Sequence, residues 1–518
     1  MNTEQILSAC DFDLDLAFVN ILDSHQKHVG ASRLLNDLAS LVRCRSNYIE
    51  RIKNRSKTYE REFLSQEKHI WDLLEIVSRI QPSDPPAVQC SQIKAFIEGL
   101  PRSNKFSILK NSENIDSLNE SIFENIRCGN TEKAIEISQN EDEPWRTMLL
   151  MRYIDDINRV KNGDRVDWLP DQRTAWRNTY ELIYSRDNMS RYESALHGII
   201  MGDTKHVLPV CQSWEDVVWT YYNARVLASI DKQIYGLEGR SSFLLNDEFV
   251  KLARTKDDSI SNANVLFFHD VALAILTGNI HQFIAKLDIN ERFDTQTSEL
   301  TLRFLSGLII YYHVYMNEPL TNQSNAILRR YAELNGKQNV LRPKILAYYA
   351  SHLPKTLQVD LVSNFLSNFN WDEDEQSILF DMGRQFKLDM VSIARRTATK
   401  EIESFMKEEN STQRRIPRAI HFDDDDISER AKRCLRSFKW LLMDEALYFE
   451  AVCFANQLIR HALATKHNQL AEAVLSTLPV SITNVCVLQL RRKTALSDEL
   501  NELDNYRRIL LGEDEKYA

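Results

Sequence analysis

The chain has 518 residues and a formal net charge of −10, with 43% hydrophobic and 27% charged residues. That mild acidity argues against a protein that holds nucleic acid by neutralising phosphates. Gly (13) and Pro (12) are scarce, about half or less of the usual ~7% and ~5%, which leaves few tight turns and favours long uninterrupted helices.

Length alone suggests about three domains of ~150 residues, unless a continuous helical stack overrides that rule. The N-terminus, MNTEQILSACDFDLDLAF, has no basic segment followed by an apolar core, so no secretory signal is expected. The eight cysteines form no CxxC pair and predict reduced thiols in the cytosol or nucleus. His25 and His28 could share a helix face, but without a Cys or carboxylate partner set they read as solvent-facing. The basic run Arg43–Arg61 contains Tyr48 and Tyr59 and also Glu50 and Glu60, so it reads as the solvated face of a helix.

From Tyr59 to Ile80, Trp71, Leu74 and Val77, with Leu73, Ile76 and Ile80, recur at three- and four-residue spacing and predict a helix. It stops at QPSDPPAV, where Pro82, Pro85 and Pro86 forbid continuation. A helix over Ser121–Cys128 ends at Gly129-Asn130, a left-handed C-cap. Another follows near Thr131–Gln139. A third starts with Asp142 as N-cap and Pro144 in its first turn, where the missing N–H costs nothing. Short helix, tight turn, short helix is the unit of an α-solenoid.

The stretch RYESALHGIIMGDTKHVLPVCQSWEDVVWTYYNARV, Arg191 to Val226, raises the question of an active site, a binding box or a helix seam. Ser213 followed three residues later by Asp216 is a capping box in its S-x-x-D form. Glu215 and Asp216 sit in the first turn, where the helix dipole favours negative charge. Trp214, Val217, Val218, Tyr221 and Tyr222 then form a wide apolar stripe. Upstream, Tyr192, Ala195, Leu196 and Ile199 form the facing helix, closed by Gly202. The seam reading accounts for every residue.

Farther along, Phe304–Met316 is the longest uncharged apolar run. It is shorter than the ~20 residues of a membrane span and reads as a mostly buried helix. Ile345–Phe369 breaks at Pro354 between two apolar runs. Lys407–Arg430 joins a basic patch, Pro417 and four aspartates, but lacks the Gly and the alternating oxygen ligands of a calcium loop. It reads as an exposed loop with Asp426 capping the next helix. Ile427–Pro479 reads as three helices with breaks near Met443–Glu445 and Thr465–His467. The expected division is 1–81 as N-terminal helices, 82–406 as a central stack, 407–427 as an exposed polar loop, and 428–518 as a further stack.

Catalytic constellations are missing. There is no GxxxxGK[ST], HExxH, GxSxG or HxE…PCxxC, and Gly236–Ser242 has the wrong spacing to cradle phosphate. Cys211, between Pro209 and Trp214, reads as a small buried cysteine rather than a nucleophile. No catalytic residue, cofactor or metal site is expected, and the chain is expected not to be an enzyme.

The same residues carry a resemblance. Arg191, Tyr192 and Glu193, then Leu208, Pro209 and Cys211, then Trp214, Glu215, Asp216 and Trp219 resemble the signature of the nuclear pore protein 84/107 family, helical scaffold nucleoporins of the Y-shaped complex. Three further segments are similar to that family in the same order. They are the segment around Trp145 and Arg146, the one with Tyr348, Tyr349, His352, Leu353 and Pro354, and the one with Trp440, Leu441, Ala451, Asn456 and Arg460. The resemblance implies an all-α, irregular solenoid of the fold-back ancestral-coatomer type, with a crown and trunk in the central stack and no β-propeller.

It also implies an architectural role in the outer ring of the nuclear pore complex at the nuclear envelope, supporting pore assembly, mRNA export and protein transport. The implied partner is another Y-complex nucleoporin of the 96/145C type, with no direct nucleic-acid, small-molecule or membrane-spanning role. In the family a C-terminal tail docks nucleoporin 133. This chain ends at NELDNYRRILLGEDEKYA, too soon for a full tail, so that contact is not carried over. A helical subunit of a vesicle coat or other adaptor is the alternative.

Overall fold

The structure is a computed structural model that describes residues 13–26, 30–51, 57–81, 83–100, 115–140, 144–184, 189–235, 246–256, 260, 262–287, 298–337, 342–413, 428–465, 467–489 and 496–511. Every regular element among them is an α-helix or a short 3-10 turn. The all-α expectation holds. Two compact units divide the chain, Met1–Lys286 and Leu287–Ala518.

The first unit runs through α1 (Leu14–Gln26), α2 (Ala31–Arg51), α3 (Thr58–Arg79), α4 (Pro86–Glu98), α5 (Ile115–Arg127), α6 (Thr131–Gln139) and α7 (Pro144–Lys161). It continues through α8 (Pro170–Tyr184), α9 (Arg191–Met201), α10 (Thr204–Val207), α11 (Trp214–Tyr235), α12 (Asn246–Thr255), α13 (Ala263–Leu276) and α14 (Ile280–Lys286). The local rules operate as expected. Pro86 and Pro144 open α4 and α7 at positions where no N–H is needed. After α5, Gly129 takes a φ of 74° and the Asn130 N–H reaches back to the Asn125 carbonyl at 2.8 Å, a Schellman closure. Asp142 lies outside the described residues.

Neighbouring helices pair in order, α1 on α2 and α2 on α3, then α5 on α6 and α6 on α7. Superimposed on that order are pairs far apart in sequence. Helix α4 lies along α11, α3 along α13 and α5 along α9. The chain therefore folds back within this unit rather than stacking strictly in sequence. The hydrophobic core lies between these returning layers, with Trp71, Leu73, Leu74, Ile97, Phe123 and Trp219 almost wholly excluded from solvent.

Two readings change here. His25 is buried, not solvent-facing, and its Nε2 is 2.8 Å from Asp37 Oδ2 across the α1–α2 joint. A helix face supplies the partner that a count of neighbouring residues could not. His28 lies outside the described residues. The basic run is not simply solvated either. Arg45 donates to Glu60 at 3.2 Å and Arg61 sits 3.7 Å from Glu50, so the mixed charges clamp α2 to α3.

The second unit holds α15 (Ser298–Tyr315), α16 (Asn322–Asn335), α17 (Pro343–Ser351), α18 (Lys355–Ser367), α19 (Glu373–Gln385) and α20 (Met390–Gln413). After these come α21 (Glu429–Lys439), α22 (Tyr448–Thr465), α23 (Asn468–Thr477), α24 (Ile482–Gln489) and α25 (Leu496–Leu511). Pairing here is mostly sequential, α15 through α18 each on the next, then α20 on α21, and α22 on both α23 and α25. As expected, α15 buries Phe304, Leu305, Leu308, Ile309, Ile310 and Tyr311. A full capping box starts α19, with Asp372 and Glu375 exchanging backbone hydrogen bonds. Helix α20 runs on through Gln413, so the first residues of the polar stretch are helical. Ser428, not Asp426, caps α21, accepting from the Ala431 N–H at 3.2 Å. Asp426 lies outside the described residues. No single helix among the described residues is long and apolar enough to cross a membrane.

Candidate functional site: a buried charge and tryptophan seam

Helix α9 begins at Ser190, whose Oγ accepts from the Glu193 N–H at 3.2 Å. It ends at Gly202, held at a φ of 73° that L side chains rarely adopt. Gly198 is needed for a different reason. A Cβ there would stand 2.9 Å from the Asp203 carbonyl and 2.9 Å from Val207, so the turn can close only on a bare Cα. Asp203 caps α10, and Pro209 lies in the 3-10 turn Leu208–Val210 that leads to α11.

The predicted capping box is present and reciprocal. Ser213 Oγ accepts from the Asp216 N–H at 3.4 Å. Asp216 Oδ2 accepts from the N–H groups of Ser213 (3.3 Å) and Gln212 (3.0 Å). The other oxygen of Asp216 does more. It accepts from Arg127 Nε at 2.9 Å, with both side chains at most 2% exposed. A further N–H of Arg127 donates to the Ile97 carbonyl at 3.1 Å. One guanidinium thus joins the end of α5, the end of α4 and the start of α11.

Trp219, one turn on, is fully buried, and its Nε1 donates to Glu98 Oε1 at 3.0 Å. Glu98 also takes Lys94 Nζ at 2.6 Å, and that ammonium stands 5.2 Å over the Trp219 ring. Burial pulls the Lys94 ammonium below its ordinary range, with Glu98 opposing that shift. Lys94, Glu98, Trp219, Arg127 and Asp216 therefore form one seam in which two cations face two anions. Such pairs offset their own desolvation only when geometry and hydrogen bonds are complete.

Around it, Tyr153 on α7 donates to Asn223 at 2.6 Å, and Asn223 donates to the Ile199 carbonyl at 3.0 Å. Cys211 is buried and its thiol is pushed up to about 12 by burial and by Asp216, the opposite of what a nucleophile requires.

The structure brings several signature residues to this region and separates others. Tyr192 donates to Glu120 at 2.7 Å, tying α9 to α5. Arg146 is buried, donates to Asn119 at 3.1 Å and stands 4.0 Å from Glu193. Trp145 is 38% exposed and stacks on His197 with centroids 6.1 Å apart. Trp214 packs on His269 of α13 at 4.5 Å, and Glu215 beside it is buried. The remaining four lie in the second unit at separate joints. His352 ends α17 against Tyr348, and Pro354 opens α18. Trp440 is buried in the 3-10 turn after α21. Asn456 on α22 donates to Glu499 of α25 through the backbone carbonyl (2.8 Å) and the carboxylate (2.7 Å).

Sequence reasoning missed Arg127, Glu98 and Lys94. It also missed a second buried cluster, where Arg173 donates to Asp231 at 3.1 Å and Trp168 donates to Asp156 at 2.9 Å. A charged residue on a mainly apolar helix face was the only available signal. No group of three His, Cys, Asp or Glu side chains that could hold a metal occurs among the described residues. What the arrangement can do chemically is hold helices in register.

The sequence model of the nuclear pore protein 84 / 107 family matches residues 113–512. The chain belongs to this family. Nuclear pore complex protein Nup107 of Homo sapiens is 23% identical over 428 residues, covering 78% of this chain and 43% of that relative. Nucleoporin nup107 of Schizosaccharomyces pombe is 21% identical over 369 residues, covering 65% of this chain and 44% of the relative. Nucleoporin NUP84 of Chaetomium thermophilum is 31% identical over 89 residues, 17% of this chain and 9% of that protein. The chain spans less than half the length of these curated relatives. The family match covers all four segments that carry the resemblance, from Trp145 to Asn456.

Proposed function

We propose that this chain is a helical scaffold subunit of the outer ring of the nuclear pore complex, within the Y-shaped complex at the nuclear envelope. In that place it supports pore assembly, and through it mRNA export and protein transport. The observation that carries this reading is the match to the nuclear pore protein 84 / 107 family over residues 113–512. The seam fits a load-carrying part, because its charges are spent on one another and on helix ends, and the Cys211 thiol beside it is held protonated. We read the protein as a non-enzyme on that basis.

The partner we propose is a nucleoporin of the 96/145C type. A surface in the first unit supports such docking. On α7, Trp145, Met148 and Met151 are exposed, and Leu169 and Leu182 are exposed at α8. Clusters of exposed large apolar side chains mark interaction surfaces, and Met and Trp are enriched there. The division into N-terminal helices, a central crown and trunk and a further stack is proposed on the same family grounds.

Tagged protein should give a punctate nuclear rim and recover outer-ring nucleoporins on affinity purification. Diffuse staining, with recovery of vesicle-coat subunits instead, would replace this reading with the coat alternative.

A further inference from the structure

A cavity of about 150 Å³ opens in the first unit between α3, the end of α4, the start of α11 and α13. Its walls include Phe96, Phe268, His69, His269, Trp214 and Glu215. The volume is that of a single six-membered aromatic ring, since a cavity of ~150 Å³ holds benzene. Trp214 is 5% exposed, yet among the described residues its indole N–H has no acceptor. Burying a donor without an acceptor is unfavourable, so this N–H favours an occupant that can accept from it. Glu215, 3% exposed, brings a carboxylate to the same wall. His69 stays neutral near pH 7, because burial and Lys68 hold it down to about 4.

We propose that this cavity is a binding site for a phenol: the ring fills the aromatic space, its oxygen accepts from the Trp214 N–H, and its hydroxyl donates to Glu215. A benzene-sized hydrocarbon would fill the volume but leave the indole donor as it is. An amine would use Glu215 but bring no acceptor for Trp214. The phenol could be the side chain of a tyrosine presented by another protein, or a free small molecule. The proposal is independent of the scaffold reading.

The test uses the full chain and two probes that differ only by the hydroxyl, p-cresol and toluene, followed by ligand-observed NMR and calorimetry. One p-cresol per chain should bind, about tenfold or more tighter than toluene, because a site built around a hydroxyl rejects the analogue that lacks it. Trp214→Phe should narrow the preference for p-cresol over toluene by weakening p-cresol. Ala272→Leu, which adds bulk at another residue of the cavity wall, should abolish both. N-acetyl-tyrosinamide displacing p-cresol would assign the site to a tyrosine side chain, and failure to displace it would assign it to a free phenol. Equal affinity of the wild-type chain for p-cresol and toluene, or no binding of either at millimolar concentration, would overturn the proposal. Because that comparison uses the wild-type chain, misfolding of a variant cannot obscure it.

Discussion

Arg127 closes α5 by donating to Asp216, the fourth residue of the cap of α11, at 2.9 Å across 89 residues of sequence, with both side chains excluded from water. The carboxylate that caps α11 is also the anion that fixes α5. Local helix chemistry and long-range architecture meet in one side chain.

Arg127→Met removes the cation from beside a buried carboxylate, which costs about 3–5 kcal/mol. The double variant Arg127→Met with Asp216→Ser should recover part of that loss, because the buried charge goes and a short cap remains. Thermal melts of the two variants and the parent check the order: parent most stable, double variant next, single variant least.

Much of this arrangement was legible beforehand, and the reason is distance along the chain. The S-x-x-D cap, the Gly129-Asn130 closure and the proline-led helices all follow from rules spanning three or four residues. The pairing of α4 with α11 and of α3 with α13 does not, because a helical period says which face is apolar and not which helix covers it. Arg127, Glu98 and Lys94 were missed for that reason, and His25 was misread for it. That Trp145 stays exposed against His197 of α9 while Arg146 is buried against Asn119 of α5 is likewise decided by neighbouring helices, not by α7 alone.

Gly198→Ala should destabilise the α9–α10 turn more than an ordinary helix substitution does. Its Cβ meets a backbone carbonyl at 2.9 Å, and that oxygen cannot swing away as a side chain would. The expected loss is about 1–3 kcal/mol, since overpacking at a tight site costs that much. Hydrogen exchange should show faster opening of α10 and of the start of α11. A melting temperature at or above that of the parent would argue against the close approach.

The protein should lose stability in mild acid through two histidines, buried His197 and half-buried His352. His197 and His352 are both lowered to about 4, chiefly by burial, from an ordinary value of 6.5. The unfolded chain therefore binds more protons than the folded one between those values. Stability contributed by their neutral forms is present above about 6.5 and is lost as pH falls toward about 4, below which the loss is complete. In His352→Gln the denaturation midpoint should fall less steeply between pH 6.5 and 4 than in the parent.

Met148→Glu and Met151→Glu should each change the folding free energy by no more than about 0.5 kcal/mol, since both side chains face solvent. Recovery of the nucleoporin partner should fall sharply. Undiminished recovery would move the docking surface elsewhere on the chain.

The central claim is that Trp219 and Asp216 of the signature hold helices together as a seam and do not themselves dock the partner. Trp219→Ala in the full chain tests it most directly, with thermal stability and partner recovery measured on the same preparation. The seam account predicts a loss of about 3–5 kcal/mol, with partner recovery falling only as far as the folded fraction falls. An unchanged melting temperature together with loss of one partner would contradict it.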